Sequence, residues 1–392
     1  MDLQGSQGSY VEPVEPAREP LAGRLMSIDA LRGFDMFWII GGWYIFDGLH
    51  KALNNPTTAC IMKQLTHAEW EGFTFEDIIM PLFLFIVGVV MPFSFSKRLD
   101  RGDSRRKLYF HVVLRSVVLF VLGMVAQGEL LALDSAKLKI YCNTLHAIAA
   151  GYLISAFIIL NMRRRWQVVL TVFLLLFFWA LMMLVPFPGR VADRLDQNAN
   201  LAGFIDRVIL RQFDDGLNYT WILSSITFAC TVMLGVMAGH VLRWQVAGPG
   251  RVLVLFALGI GCLALGSLWG GWFFGIGEFY FGLCPIVKRL WTSSFVLFAG
   301  GLSYLLLALF YLVIDVWGFK KWAFPLVVIG TNAIFVYMAT HLWDFRDIAG
   351  VFVRGLDRFV GPWPEFIHAM AGFALVWLIL LYMHRKKTFI KV

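Results

Sequence analysis

Charge is what this sequence has least of. Only 15% of its 392 residues are Asp, Glu, Lys or Arg and 59% are hydrophobic, whereas about a quarter of an ordinary soluble domain is charged. That balance excludes a soluble globular protein. Cysteine is scarce too: the five (Cys60, Cys142, Cys230, Cys262, Cys284) form no CxxC pair and have no histidine at ligand spacing, so no metal site or disulfide framework is indicated. No P-loop, no GxGxxG after a strand and no GxSxG elbow occurs, which removes support for ATP-driven, dinucleotide and elbow-serine mechanisms. Lys and Arg exceed Asp and Glu by eight, yet they cluster at the ends of apolar runs rather than in a tail. This pattern argues against nucleic acid as a partner.

What the sequence has in plenty is apolar runs near twenty residues long, the length a helix needs to cross about 30 Å of hydrocarbon. The expected fold is all-α, a polytopic membrane protein with the lipid bilayer as its partner. Hydropathy places ten spans, at 28–50, 76–96, 108–127, 141–161, 166–186, 219–241, 252–269, 290–314, 323–343 and 364–384. An eleventh stretch, 346–360, is too short and carries Arg354, Asp357 and Arg358; it reads as an interfacial amphipathic helix. Alternate loops hold nineteen Lys and Arg on one side against thirteen on the other, so the positive-inside rule puts both termini in the cytosol. Residues 1–24, with Gly, Pro and Glu and no apolar core, read as a disordered cytosolic leader without a cleaved signal. Residues 25–392 read as one transmembrane domain. Glycines within the spans, as in LGVMAGH, suggest close helix packing.

Chemistry concentrates between Leu65 and Ser96. His67, Glu69, Glu71, Glu76 and Asp77 fall within eleven residues, with Trp70 and Phe73 among them, at the mouth of an apolar helix. An imidazole beside carboxylates can take a proton and hold the charge. Carboxylates beside an aromatic ring also suit a sugar, accepting its hydroxyls while the ring stacks on its face. A solvated acidic loop is the competing reading. In the first span Arg32 shares a helix face with Asp29 and Asp35, either as a structural ion pair or as an anion site. Asn143, His146, Asn332, Tyr337 and His341 lie in spans, where buried polar groups often only join helices. Lys288 and Arg289 read as interface anchors near Glu278, and the basic run from Lys97 to Lys107, including Arg98, is what topology demands and could also clamp phosphates.

The string THAEWEGFTFEDIIMPLFLFIVG resembles the transmembrane acetyltransferases typified by heparan-alpha-glucosaminide N-acetyltransferase, whose hallmark is a His-Ala-x-Trp-x-Gly loop before a proline-containing helix. The resemblance recurs in RLMSIDALRGFDMFWIIGG, LHAIAAGYLI, MLGVMAGHVL, GTNAIFVYM and YMHRKK, in order along nearly the whole chain, and the opening is most similar to the bacterial branch. It implies an acetyl-CoA-dependent acyltransferase of the bacterial inner membrane, acting on the amino group of a glucosamine-type sugar on the periplasmic side. It implies His67 as the catalytic residue, deprotonating the amine or carrying the acetyl group itself. Asp77 would orient the ring; Glu69, Trp70 and Glu71 would hold the sugar; Arg32, Lys97 and Arg98 would meet the phosphates of acetyl-CoA. The family's asparagine before the motif histidine is not matched, since Trp43 stands at that position, which leaves Asn54, Asn55, Asn143 and Asn332 as oxyanion candidates. No metal is expected, and a homodimer is left open. Two other readings stand beside this one: an aminosugar or N-acetylglucosamine transporter, although the sequence shows no paired broken helices, and an O-acyltransferase of surface polysaccharide, whose usual histidine late in the first span is replaced here by Gly41, Gly42 and Trp43.

Overall fold

The computed structural model describes residues 25–189, 195–216, 219–271 and 283–390. The leader expected over 1–24, and Glu278, lie outside them. In chain order, α1 (Met26–Phe37) passes through a widened turn at Trp38–Gly42 into α2 (Trp43–Leu53), and α3 (Pro56–Gln64) follows. A tight turn at Phe75–Ile78 leads into α4 (Ile79–Asp100), then α5 (Arg105–Ala126), α6 (Thr144–Asn161) and α7 (Arg164–Leu184). After the short α8 (Leu201–Leu210) come α9 (Ser225–Leu242), α10 (Gly248–Gly270) and α11 (Ser293–Phe310). The chain closes with α12 (Phe324–Gly330), α13 (Ala333–Leu342), α14 (Phe345–Val353) and α15 (Pro364–Arg385). No strand occurs among the described residues; extended pairing is confined to two isolated bridges, Glu71 with Val287 and Leu195 with Asn200.

Among the described residues eight helices, α4 to α7, α9 to α11 and α15, are long and apolar enough to cross a membrane. They account for eight of the ten expected spans. The remaining two are broken. Helices α12 and α13 meet at 62° across the break at Thr331 and Asn332, and the first span bends at Gly41, whose backbone leaves the helical region at φ 170 and ψ −13. The sequence showed no paired broken helices, whereas the structure interrupts both of these spans. Hydropathy averages over composition, so an interruption by one Gly or Asn inside an apolar run is invisible to it. Over the eleventh stretch the chain forms the short α14 and a tight turn at Arg354–Arg358, with Val351, Phe352 and Phe359 exposed.

Helices α4 and α9 form the centre, with 72% and 78% of their apolar windows buried, against 22% to 28% for α5, α7, α10 and α15. A helix apolar on all sides belongs either inside such a bundle or against lipid. The two central helices touch backbone to backbone, since a Cβ on Gly88 would lie 1.9 Å from the Val232 carbonyl oxygen and one on Gly235 the same distance from that of Phe85. Larger residues there would force the helices apart. Tyr304 of α11 joins this core by donating its hydroxyl to the Leu234 carbonyl at 2.7 Å. A smaller apolar cluster covers one end of the bundle. It is built from Phe178, Met182, Phe187, Leu195, Leu201, Val287 and Leu290, with Trp70 packed against it.

Candidate active site

The loop carrying His67 is held in place by its own backbone. Gly72 takes φ 113, a region that glycine occupies without strain; its N–H donates to the Ile286 carbonyl at 2.9 Å, beside the Glu71–Val287 bridge. Trp70 donates its indole N–H to the Leu195 carbonyl at 3.0 Å, which anchors the loop to the covering cluster. Thr74 and Asp77 then form a capping box at the start of the helical turn before α4. Asp77 accepts at Oδ2 from the Thr74 N–H and hydroxyl, each at 3.0 Å, and from the Ala68 N–H at 3.3 Å. These three donors fix the carboxylate plane and leave Oδ1 for His67.

His67 Nδ1 lies 3.0 Å from Asp77 Oδ1. The ammonium of Lys288 sits 3.0 Å from the same Nδ1 and 3.3 Å from the same carboxylate oxygen. Asp77 is fully buried and Lys288 nearly so, whereas the His67 side chain is 43% exposed. With Nδ1 engaged from behind, Nε2 is the ring atom available to a ligand. Desolvation pushes the imidazole pKa below its ordinary value, the Asp77 hydrogen bond opposes that, and the Lys288 charge adds to the lowering. Burial is the largest of these effects, and Lys288 is the largest of the charges that act in the same direction. Lys288 is itself pushed below the usual lysine range, first by desolvation, with Asp77 and Glu76 opposing.

These residues border a cavity of about 420 Å³ lined by His67, Glu76, Lys288, Asn143, Asp215, Tyr219, Trp221 and His341, with Trp38, Trp43, Tyr44 and Tyr337 completing much of its aromatic wall. It gathers the ends of α4, α5, α6, α9, α11 and α13 that the basic-residue count puts on the less basic side. Two buried polar atoms on its wall, Glu76 Oε2 and the Trp38 indole nitrogen, have no hydrogen-bond partner among the described residues. His341 Nδ1 lies 2.8 Å from the Tyr337 carbonyl; a carbonyl only accepts, so Nδ1 carries the proton and Nε2 is the basic atom. Among the described residues no three His, Cys, Asp or Glu side chains converge as a metal would require.

Of the residues expected from sequence, the structure brings together His67, Asp77 and the Asn143 position. Asn143 is fully engaged as the cap of α6, accepting from the Leu145 and His146 N–H groups and donating to the Gly123 carbonyl at 2.7 Å. Glu69 and Glu71 are exposed and Trp70 points into the covering cluster, so none of the three lines the cavity. Asn332 holds the C-terminal segment through the Thr388 carbonyl and the Ile390 N–H. Asn54 ends α2 in a left-handed conformation and Asn55 caps α3. Arg32 pairs with Asp29 at 3.5 Å and reaches the Gly330 carbonyl where α1 crosses α12, while Asp35 is buried with both oxygens unpartnered among the described residues. Lys97 and Arg98 sit at the far end of α4. Sequence reasoning missed Lys288, read as an interface anchor, and the Asp215–Trp221 wall. Only the backbone pairing of residues 286 and 287 with the His67 loop reveals the first, and hydropathy carried no signal for the second.

No protein-family model matches the chain. It is similar to the heparan-alpha-glucosaminide N-acetyltransferases of Homo sapiens, at 24% identity over 97% of this chain and 62% of that protein, and of Mus musculus, at 25% identity over 83% of this chain and 55% of that one. The resemblance first read from the His67 loop thus extends along most of the chain. The chain spans roughly three fifths of the length of these curated relatives.

Proposed function

We propose that this chain is a membrane-bound acetyltransferase that moves the acetyl group of acetyl-CoA to the amino group of a glucosamine-type sugar. One observation carries the reading: a histidine backed by a buried carboxylate at 3.0 Å opens on an aromatic-walled cavity. In this arrangement His67 Nε2 takes the proton of the sugar amine as its nitrogen attacks the thioester carbonyl. The new C–N bond forms, the C–S bond breaks, and CoA leaves as the thiolate, which takes up a proton. Asp77 accepts the Nδ1 proton and so holds the tautomer that leaves Nε2 basic, and in this tautomer the Lys288 ammonium is bonded to Asp77 Oδ1 rather than to the ring nitrogen. Glu76, with an oxygen unpartnered on the cavity wall, is the acidic group placed to receive the aminosugar, and the Trp38 N–H is an unused donor at the same wall.

Acetyl-CoA enters from the basic side, taken as the cytosol, and the sugar from the other, taken as the periplasm of a bacterial inner membrane. Lys97 lies seventeen residues along α4 from the cavity-lining Met80, about 26 Å at 1.5 Å per residue. Phosphates met there by Lys97 and Arg98 would leave an extended tail to cross the bundle. Purified protein given labelled acetyl-CoA and glucosamine should yield labelled N-acetylglucosamine, and His67→Ala should abolish it. Full activity in that variant would overturn the role of His67.

A second reading, a transporter for the aminosugar or its acetylated form, is favoured by the two broken spans, which pack on each other with Gly33 of α1 against Leu326 and Gly330 of α12 against Asp29. Uptake of labelled N-acetylglucosamine into vesicles without acetyl-CoA would support it.

A further inference from the structure

His67, Asp77 and Lys288 hold three titratable groups at one point. A histidine paired with a carboxylate alone tends to keep a proton, because imidazolium beside carboxylate is a satisfied ion pair. Here a lysine occupies the same oxygen. Its ammonium is 3.3 Å from Asp77 Oδ1 and 3.0 Å from His67 Nδ1, with only 8% of its side chain exposed. Its placement is built rather than incidental. Residues 286 and 287 pair with Gly72 and Glu71 of the His67 loop, and the Val287 N–H donates to the Thr292 hydroxyl at 3.1 Å. The loop that carries the base and the segment that carries the lysine are therefore joined through their backbones.

We propose that Lys288 is a positioning residue that keeps the imidazole of His67 neutral by balancing the charge of Asp77, so that the pair rests as a base rather than as an ion pair. Deepening the reading given above, this assignment depends on acetyl transfer only for its kinetic arm. With Lys288 in place the buried charges sum to zero, and a proton added to His67 leaves a net positive charge beside an ammonium. Remove the lysine, and the Asp77 carboxylate draws that proton onto the ring. Arg289, from the same segment as Lys288, acts on the ring in the same direction as Lys288, and Glu76, from the same turn as Asp77, also borders the cavity. Across the cavity stand Asp215 and Tyr219, then His341, Tyr337, Tyr44 and Cys142 on the remaining walls. The lowered imidazole pKa noted above agrees with the arrangement.

Diethyl pyrocarbonate acylates neutral imidazole and not imidazolium. The test follows its reaction at His67, by mass spectrometry of the peptide carrying that residue, across the range in which imidazole titrates. Full-length wild type, K288M and K288R are compared, beside the pH profile of acetyl transfer. The wild-type midpoint should fall below the ordinary 6.5, K288R should keep it, and K288M should raise it by at least about one pH unit, a tenfold change in proton affinity. A wild-type midpoint at or above 6.5 overturns the proposal, and so does a K288M midpoint equal to that of wild type. Should K288M fail to accumulate as folded protein, K288Q, which keeps a hydrogen-bond donor for Asp77 without the charge, is read in its place and must show the same upward shift; an unshifted midpoint overturns the proposal. Midpoints that move as expected in a protein without transferase activity uphold the assignment of Lys288 and overturn the proposed reaction instead.

Discussion

Helix α4 starts beside one kind of charge and ends among another. At its start Asp77 and Lys288 are buried, within 3.3 Å of each other and touching a histidine. At its end Lys97 is exposed, and the nearby Lys107–Asp103 pair, at 2.6 Å, joins an exposed lysine to an aspartate on the surface. Buried charges survive only when every partner is in place. Charges in water cost little and are set by the topology of the chain. Few and buried thus marks the place of chemistry, and many and exposed marks the side of the membrane.

Substitutions that act on only one end of α4 break or sharpen this contrast. The largest effect belongs to His67→Ala, which should cut acetyl transfer by about 10²- to 10⁴-fold in a labelled-acetyl assay. Thermal stability should hardly change, since the ring is partly exposed and the Asp77–Lys288 pair remains. Asp77→Ala leaves a buried ammonium without its carboxylate. A thermal melt in detergent should register a loss of about 3–5 kcal/mol, whereas Asp103→Ala at the other end should leave the melt where it was. The third effect is one of pH. His67 has its pKa lowered, so the neutral base persists below the ordinary 6.5 and is lost only as pH falls through the lowered value. A rate profile in which activity already declines above 6.5 on the way down would contradict this sign. Trp70→Phe, which removes the hydrogen bond to Leu195, should cost about 1 kcal/mol in the same melt and leave the Michaelis constants near wild type. The smallest effect is expected from Lys97→Ala, about a threefold rise in the KM for acetyl-CoA that fades at high salt.

Much of this was legible before any coordinates. Apolar runs gave the all-helical bundle, because a bilayer demands that length of any helix that crosses it. Asp77, ten residues from His67, was named as the group that orients the ring, while the capping box that fixes its carboxylate emerged only in the fold. What stayed hidden was whatever depends on contacts distant in sequence. Lys288 lies 221 residues from His67 and looks, in sequence, like any basic residue before a span. Trp70 and Glu71 share the loop of His67, but a loop residue's direction is set by what it docks on, here the Leu195 carbonyl and Val287. Asn332 looked like a donor in a span and turned out to tether the C-terminal segment at a helix break. Proximity in sequence identified the loop; only packing could divide it into working and anchoring residues.

The most direct measurement is a density map of the purified protein with acetyl-CoA bound. The account predicts density running through the bundle from Lys97 and Arg98 toward the cavity, with the thioester within hydrogen-bonding reach of His67 Nε2. Density for CoA that leaves the cavity empty and His67 untouched would contradict it.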